Sequence, residues 1–150
     1  MADIRYTEDL AGIEPAHLEG FWEGWPTPPT PDRHLAALRG SEVVILAIDD
    51  AARRVVGFVT VVGDGALAAF IPFLEVLPAY RHRGIGRELV RRALERVGGR
   101  YSVDLVCDPD LVPFYEAMGF TRLTAMAIRD RRVLVAERRG GGGGGADDAR

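Results

Sequence analysis

The stretch Leu74–Glu95, LEVLPAYRHRGIGRELVRRALE, constrains this chain more than any other part of its 150 residues. Leu74, Glu75, Val76 and Leu77 close an apolar run that ends at Pro78. Proline has no N–H to give a sheet ladder, so the run reads as a strand that stops there. The basic glycine segment Arg81-His82-Arg83-Gly84-Ile85-Gly86 follows. Ile85, Leu89, Val90, Ala93, Leu94 and Val97 then recur at helical spacing, with Arg87, Arg91, Arg92 and Arg96 on the other side. Gly98-Gly99 ends that helix.

A strand, a glycine loop and a helix in this order point to an anion site, the plainer alternative being an ordinary strand-to-helix turn with a solvated basic face. The first helical turn has N–H groups without partners inside the helix, and the macrodipole adds partial positive charge. Gly84 and Gly86 carry no Cβ, so a ligand can approach the backbone. Arg81, Arg83 and Arg87 add full charges around the same turn, which suits a pyrophosphate. No Gly-Lys-Ser/Thr is present for a Walker loop, and the dinucleotide fingerprint fails because Leu89 stands where its third glycine is needed.

The segment resembles the acetyl-CoA-binding segment of the GNAT N-acetyltransferase superfamily, an apolar strand with V-x-P, then [RQ]-x-x-G-x-[GA], then a helix. Val76-Leu77-Pro78 and Arg81 through Gly86 match it position by position. A second match lies further on: Pro113-Phe114-Tyr115-Glu116-Ala117-Met118-Gly119-Phe120 resembles the family's helix ending in F-Y-x-x-x-G-F. The two stand in the family's order, and the order of predicted elements extends the resemblance over roughly residues 3–138.

Those predicted elements begin with a strand over Asp3–Thr7 and a helix with Ile13, Leu18, Phe21 and Trp22 on its apolar face. Four prolines make Trp25–Pro31 a stiff loop. A second helix, capped by Thr30 or Asp32, runs to Leu38 and ends at Gly40. Strands follow over Val43–Ile48, Val55–Val62 and Ala66–Leu77, the last interrupted by Pro72, which implies an edge or a bulge. After the arginine-rich helix come a strand Tyr101–Val106, a short helix Val112–Met118, and a final hairpin of Phe120–Ile128 with Val133–Glu137. Mixed elements of this kind argue an α/β protein. The resemblance makes it the GNAT acyl-CoA N-acyltransferase fold, with a mixed, mostly antiparallel sheet of six to seven strands and about four helices. One domain over 1–139 is expected, and the glycine run from Gly140 has no means of burying area and should be disordered.

Composition narrows the partners. A net charge of −3 gives no general attraction to nucleic acid or to anionic membrane, and no apolar run is long enough to span a bilayer. A single cysteine, Cys107, allows no internal disulfide and fits a reducing compartment, so the cytoplasm is expected. No metal-spaced His/Cys cluster and no Gly-x-Ser-x-Gly elbow are present, so neither a metal centre nor a serine nucleophile is expected.

The resemblance implies transfer of an acetyl group from acetyl-CoA, as co-substrate, directly to a primary amine. It implies Tyr115 as the general acid for the CoA thiolate. Leu74 and Val76 would offer backbone groups to the pantetheine. Arg81, His82, Arg83, Gly84, Ile85, Gly86 and Arg87 would hold the pyrophosphate, and Phe114 would pack on the cofactor. Asp108 stands near where many members have a pantetheine-binding Asn. The acidic residue that several members carry earlier on the cofactor strand is missing here, where Ala68, Phe70 and Pro72 stand. Glu75 is the only carboxylate in that run, and it reads either as base or amine-binding group or as half of a structural ion pair with an arginine. Ordered water, Asp104 and Asp108 are other proton acceptors. Phe21, Trp22 and Trp25 read as core packing or as the wall of an acceptor pocket. A homodimer through the C-terminal strands is common among relatives. The alternative to the enzyme is a non-catalytic acyl-CoA sensor on the same fold.

Overall fold

A computed structural model describes residues 3–135. Its spine is β3, Arg54–Gly63, a ten-residue strand whose middle is entirely buried. β2, Val43–Asp49, is buried along its whole length and pairs antiparallel with β3, while β1, Ile4–Thr7, pairs antiparallel with β2 on its other side. The Val/Ile/Leu-rich sequences of β2 and β3 are what a strand covered on both faces requires.

The run after β3 divides at Pro72, as that proline suggests. β4, Ala68–Ile71, pairs with the far end of β3 at Val62 and Gly63, and β5, Leu74–Val76, pairs with the near part, Gly57 to Val59. β6, Ser102–Leu105, runs parallel to β4 only. β5 and β6 therefore diverge from a common root, and a wedge opens between them. The result is a six-stranded, mostly antiparallel sheet with helices on its faces.

α2, Ile85–Arg96, packs on β2, β3 and β5, burying Ile85, Leu89, Val90 and Ala93. Gly57 is what lets it come so close. A Cβ there would lie 3.2 Å from Leu89 Cδ1 and from the Glu75 carbonyl, and 3.3 Å from Ile85 Cγ2. Adjacent strand residues point to opposite faces, so Phe58 looks the other way. There it meets Phe21, Trp22 and His34, carried by the Pro15–Leu18 turn, the loop after it, and α1, Pro31–Gly40. Thr30 caps α1, its hydroxyl accepting from the Arg33 amide at 3.2 Å, with Pro31 at the first helical position. α3, Val112–Glu116, is the short helix of the second motif.

Two expectations from sequence are corrected. The first predicted helix shrinks to the 3-10 turn Pro15–Leu18, because Gly12, Gly20, Trp22 and Gly24 all take left-handed φ and break any helical run. The final hairpin does not form among the described residues. Residues 121–130 have no regular structure, and 132–135 are helical where a strand was expected. Asp130 turns the chain there, accepting from the Arg132 amide at 3.0 Å and its guanidinium at 2.8 Å. Leu123 is left largely exposed, and Met126 and Ile128 almost fully so. Ala136 and Glu137, and the tail from Gly140, lie outside the described residues.

Candidate active site

The wedge between β5 and β6 ends at the glycine loop. Gly84, at φ 80°, is the N-cap of α2, and His82 before it also sits in the left-handed region at φ 61°. None of the six amides from His82 through Arg87 donates to an acceptor among the described residues. A Cβ on Gly84 would meet nothing within 4 Å, so the space in front of the turn is open. Such a fan of unpaired N–H groups on a helix start is a receptor for a phosphate group.

Register assigns the strand groups. The Thr60 amide donates to Phe73 O at 3.0 Å and the Leu77 amide to Val56 O at 2.8 Å. Alternate residues of an antiparallel strand turn their peptide groups to opposite sides, so Phe73, Glu75 and Leu77 face β3 while Leu74 and Val76 face the wedge. The Val76 carbonyl accepts from Arg81 Nε at 3.1 Å, and the Leu74 groups and the Val76 amide have no partner among the described residues. A ladder edge of this kind pairs with an extended, amide-containing ligand.

Phe114 closes the wedge from α3. A Cβ added to Gly86 would lie 3.7 Å from Val76 Cγ2 and 3.9 Å from Phe114 Cζ, so loop, strand and α3 converge on one point. Tyr115 follows, 8% exposed, its ring edge-on to Phe114 at 4.9 Å and to Phe120 at 5.6 Å. Its hydroxyl has no hydrogen-bond partner among the described residues. Burial first, and Cys107 second, push its pKa up to about 12. Asp108 is exposed and opens the turn Pro109–Leu111 after β6.

The arginines divide. Arg91 and Arg92 pair with Glu88, Arg91 also with Glu95, and Arg96 with Glu8, so that side of α2 neutralises itself. Arg81 reaches Glu23 at 2.6 Å. Arg83 lies over the Tyr80 ring, 5.1 Å from its centre. Tyr80 in turn donates to buried Asp49 at 2.7 Å, tying the loop to the end of β2. Sequence reasoning missed this brace, since Asp49 and Tyr80 lie 31 positions apart. All nineteen basic side chains, these included, are arginine, and there is no lysine.

Glu75 lies on the face away from α2. The ion pair considered from sequence does not form among the described residues. The Trp22 amide donates to Glu75 Oε2 at 2.8 Å instead, and burial raises the Glu75 pKa against the lowering effects of that bond and of Arg81. Phe21 and Trp22 belong to the core, while Trp25 is 42% exposed. The described residues contain no cluster of His, Cys, Asp and Glu fit to hold a metal ion, and no helix long and apolar enough to cross a membrane.

The glycine turn, the outward edge of β5 and the F-Y helix meet at Gly86. The model of the acetyltransferase (GNAT) family matches residues 9–120, well over half of the chain. The chain belongs to the GNAT family. Among solved structures, a Deinococcus radiodurans R1 protein described as a candidate acetyltransferase is 48% identical, with a TM-score of 0.82 over 85% of this chain and 89% of that one. A GNAT-family acetyltransferase of Streptococcus pneumoniae TIGR4 is 31% identical, with a TM-score of 0.68 over 87% and 99%. The rice glucosamine 6-phosphate N-acetyltransferase 1 (Oryza sativa subsp. japonica) is 31% identical over 75% of this chain and 77% of its own length. Against two other relatives, a chloroplastic GCN5-related N-acetyltransferase of Arabidopsis thaliana and an uncharacterised N-acetyltransferase of Pyropia yezoensis, this GNAT chain spans about half of their length, 44% and 52%.

Proposed function

We propose that this GNAT protein transfers an acetyl group from acetyl-CoA to a primary amine. The observation that carries the reading is the run of six unpartnered amides at the start of α2, continuous through Gly86 and Phe114 with the free edge of β5. The amides of His82 to Arg87 hold the pyrophosphate, with Arg83 and Arg87 as counter-charges. Leu74 and Val76 pair with the pantetheine, and Asp108 borders its far side. The thioester carbonyl then lies near Tyr115.

The chemistry balances with two proton carriers. Glu75, or water ordered by it, takes one proton from the bound ammonium. The free amine attacks the thioester carbon, the C–N bond forms and the C–S bond breaks. Tyr115 gives its phenolic proton to the departing thiolate and regains one from the amide nitrogen through solvent. A pKa of about 12 keeps Tyr115 protonated at neutral pH, which supports the acid role. Burial raises Glu75 towards the working range of a general base.

The protein is further proposed to act in the cytoplasm, a reading supported by the lone Cys107, and to work as a homodimer. The exposed apolar segment 121–128 and the outer edge of β6, unpaired among the described residues, support the latter.

CoA release from acetyl-CoA in the presence of a panel of amines tests the enzyme. Tyr115→Phe is expected to lower kcat by roughly a hundredfold or more and to leave the Kd for acetyl-CoA, read by calorimetry, unchanged. Acetyl-CoA binding with no turnover on any amine would favour the sensor reading instead. Failure to bind any acyl-CoA would end both.

A further inference from the structure

On the face of the sheet away from α2, two buried polar side chains have no hydrogen-bond partner among the described residues. His34 is 1% exposed with both ring nitrogens unpaired there, and Thr60 is 1% exposed with its hydroxyl unpaired there. Unsatisfied buried groups are rare in folded proteins because each forfeits its water without replacement. Two on one surface call for a reason.

They share that surface with Glu75. Phe58 stands opposite Glu75 in the β3–β5 register, and Thr60, two residues on, faces the same way. The His34 ring lies 4.4 Å from the Phe58 ring, centre to centre. Above them sits Trp22, 4.9 Å from His34, 5.6 Å from Phe58 and 5.0 Å from Phe73. Trp22 holds φ 70°, a conformation that bulky side chains avoid, and its amide occupies one oxygen of Glu75. A strained residue latched onto the carboxylate, over two orphaned polar groups, is a cover rather than a floor.

We infer that the acceptor binds beneath Trp22 as an amino alcohol: its ammonium on Glu75, its apolar body among Phe58, Phe73 and Trp22, and its hydroxyl on His34 and Thr60. The inference rests on the acetyl-transfer reading above and adds the acceptor's class. A hydroxyl both donates and accepts, which is what a neutral imidazole and a threonine require of a partner. Burial lowers the His34 pKa to about 4, so the ring is neutral at physiological pH. When the acceptor enters, Trp22 gives up Glu75, and the chain beyond Trp25 is stiffened by four prolines, so the opening is confined to the short segment between Gly20 and Gly24.

The test uses ω-amino alcohols of graded chain length against their parent alkylamines, with the full-length protein saturated with acetyl-CoA. Both tryptophans of the chain lie at this site, so their intrinsic fluorescence reports binding without turnover. One amino alcohol in the series is expected to shift the emission and to have a KM roughly threefold to tenfold below that of its alkylamine, the range of one or two hydrogen bonds. Thr60→Val and His34→Leu are expected to abolish that preference while raising Tm, since each removes an unsatisfied group. A structural histidine and threonine would give the rise in Tm with the preference intact, and that result would overturn the inference. So would an unchanged tryptophan signal across the series while acetyl-CoA still binds. Loss of acetyl-CoA binding itself would strike the acetyl-transfer reading and not this one.

Discussion

In the proposed reaction Tyr115 and Glu75 take opposite duties, and burial acts on both in the same direction. A phenol pushed to about 12 keeps its proton, and a carboxyl pushed upward gives its own up later than usual. Activity in kcat/KM for the amine is therefore expected to rise with pH through the raised Glu75 pKa, with no falling limb from Tyr115 until strongly basic pH. Glu75→Gln should remove the acid limb and most of the rate. Stability runs the other way. The folded chain holds the Glu75 proton more tightly than the unfolded chain does, so this contribution is complete in acid and is lost as pH rises through the folded pKa. Gln keeps an oxygen for the Trp22 amide and does not titrate. Melting curves from mildly acid to neutral pH should show wild type losing ground to Glu75→Gln as pH rises; parallel curves would mean that Glu75 is not desolvated. The sequence showed that Glu75 was alone in an apolar run. It did not show the backbone amide of Trp22, a partner 53 positions away that only the fold supplies.

At the scale of elements, the approach of α2 to β3 sets the position of the glycine turn, and Gly57 sets that approach. Gly57→Ala is expected to cost about 1–3 kcal/mol, the usual range for overpacking, and to raise the KM for acetyl-CoA more than it lowers kcat, because the new Cβ crowds Ile85 and Leu89 and pushes α2 off β3. Gly84→Ala meets open space but left-handed backbone, so about 1 kcal/mol of strain is expected there. Chemical denaturation and steady-state kinetics separate the two cases. The central elements were legible because their period is strong: β2 and β3 are unbroken apolar runs, α2 has a clean stripe, and Pro72 marked the division of β4 from β5. The elements misread were those in which local signals compete. Ile13, Leu18, Phe21 and Trp22 suggest one helical face, yet Gly12, Gly20 and Gly24 allow the left-handed turns that dissolve it. Phe120–Ile128 has strand composition, but a strand exists only beside a partner, and the described residues supply none. His34 interrupts the apolar face of α1 beside Leu35 and Leu38, and that was the one signal in the chain that pointed to the orphaned pair.

For the molecule as a whole, the exposed segment and the open edge of β6 predict self-association. Light scattering should find a dimer whose dissociation constant rises at least tenfold in the Met126→Lys/Ile128→Lys variant, the loss of two buried apolar side chains being worth a few kcal/mol; a wild-type protein that stays monomeric would exclude it. The all-arginine basic set has a different consequence. Guanidinium groups stay protonated and are poor nucleophiles, so these 150 residues bring no ε-amine to the thioester they are proposed to hold. Left alone with its activated acyl donor, the chain has no lysine to spend it on. Acetyl-lysine in a reaction mixture would then belong entirely to the acceptor, and the protein would emerge from many turnovers with its phosphate turn chemically unaltered.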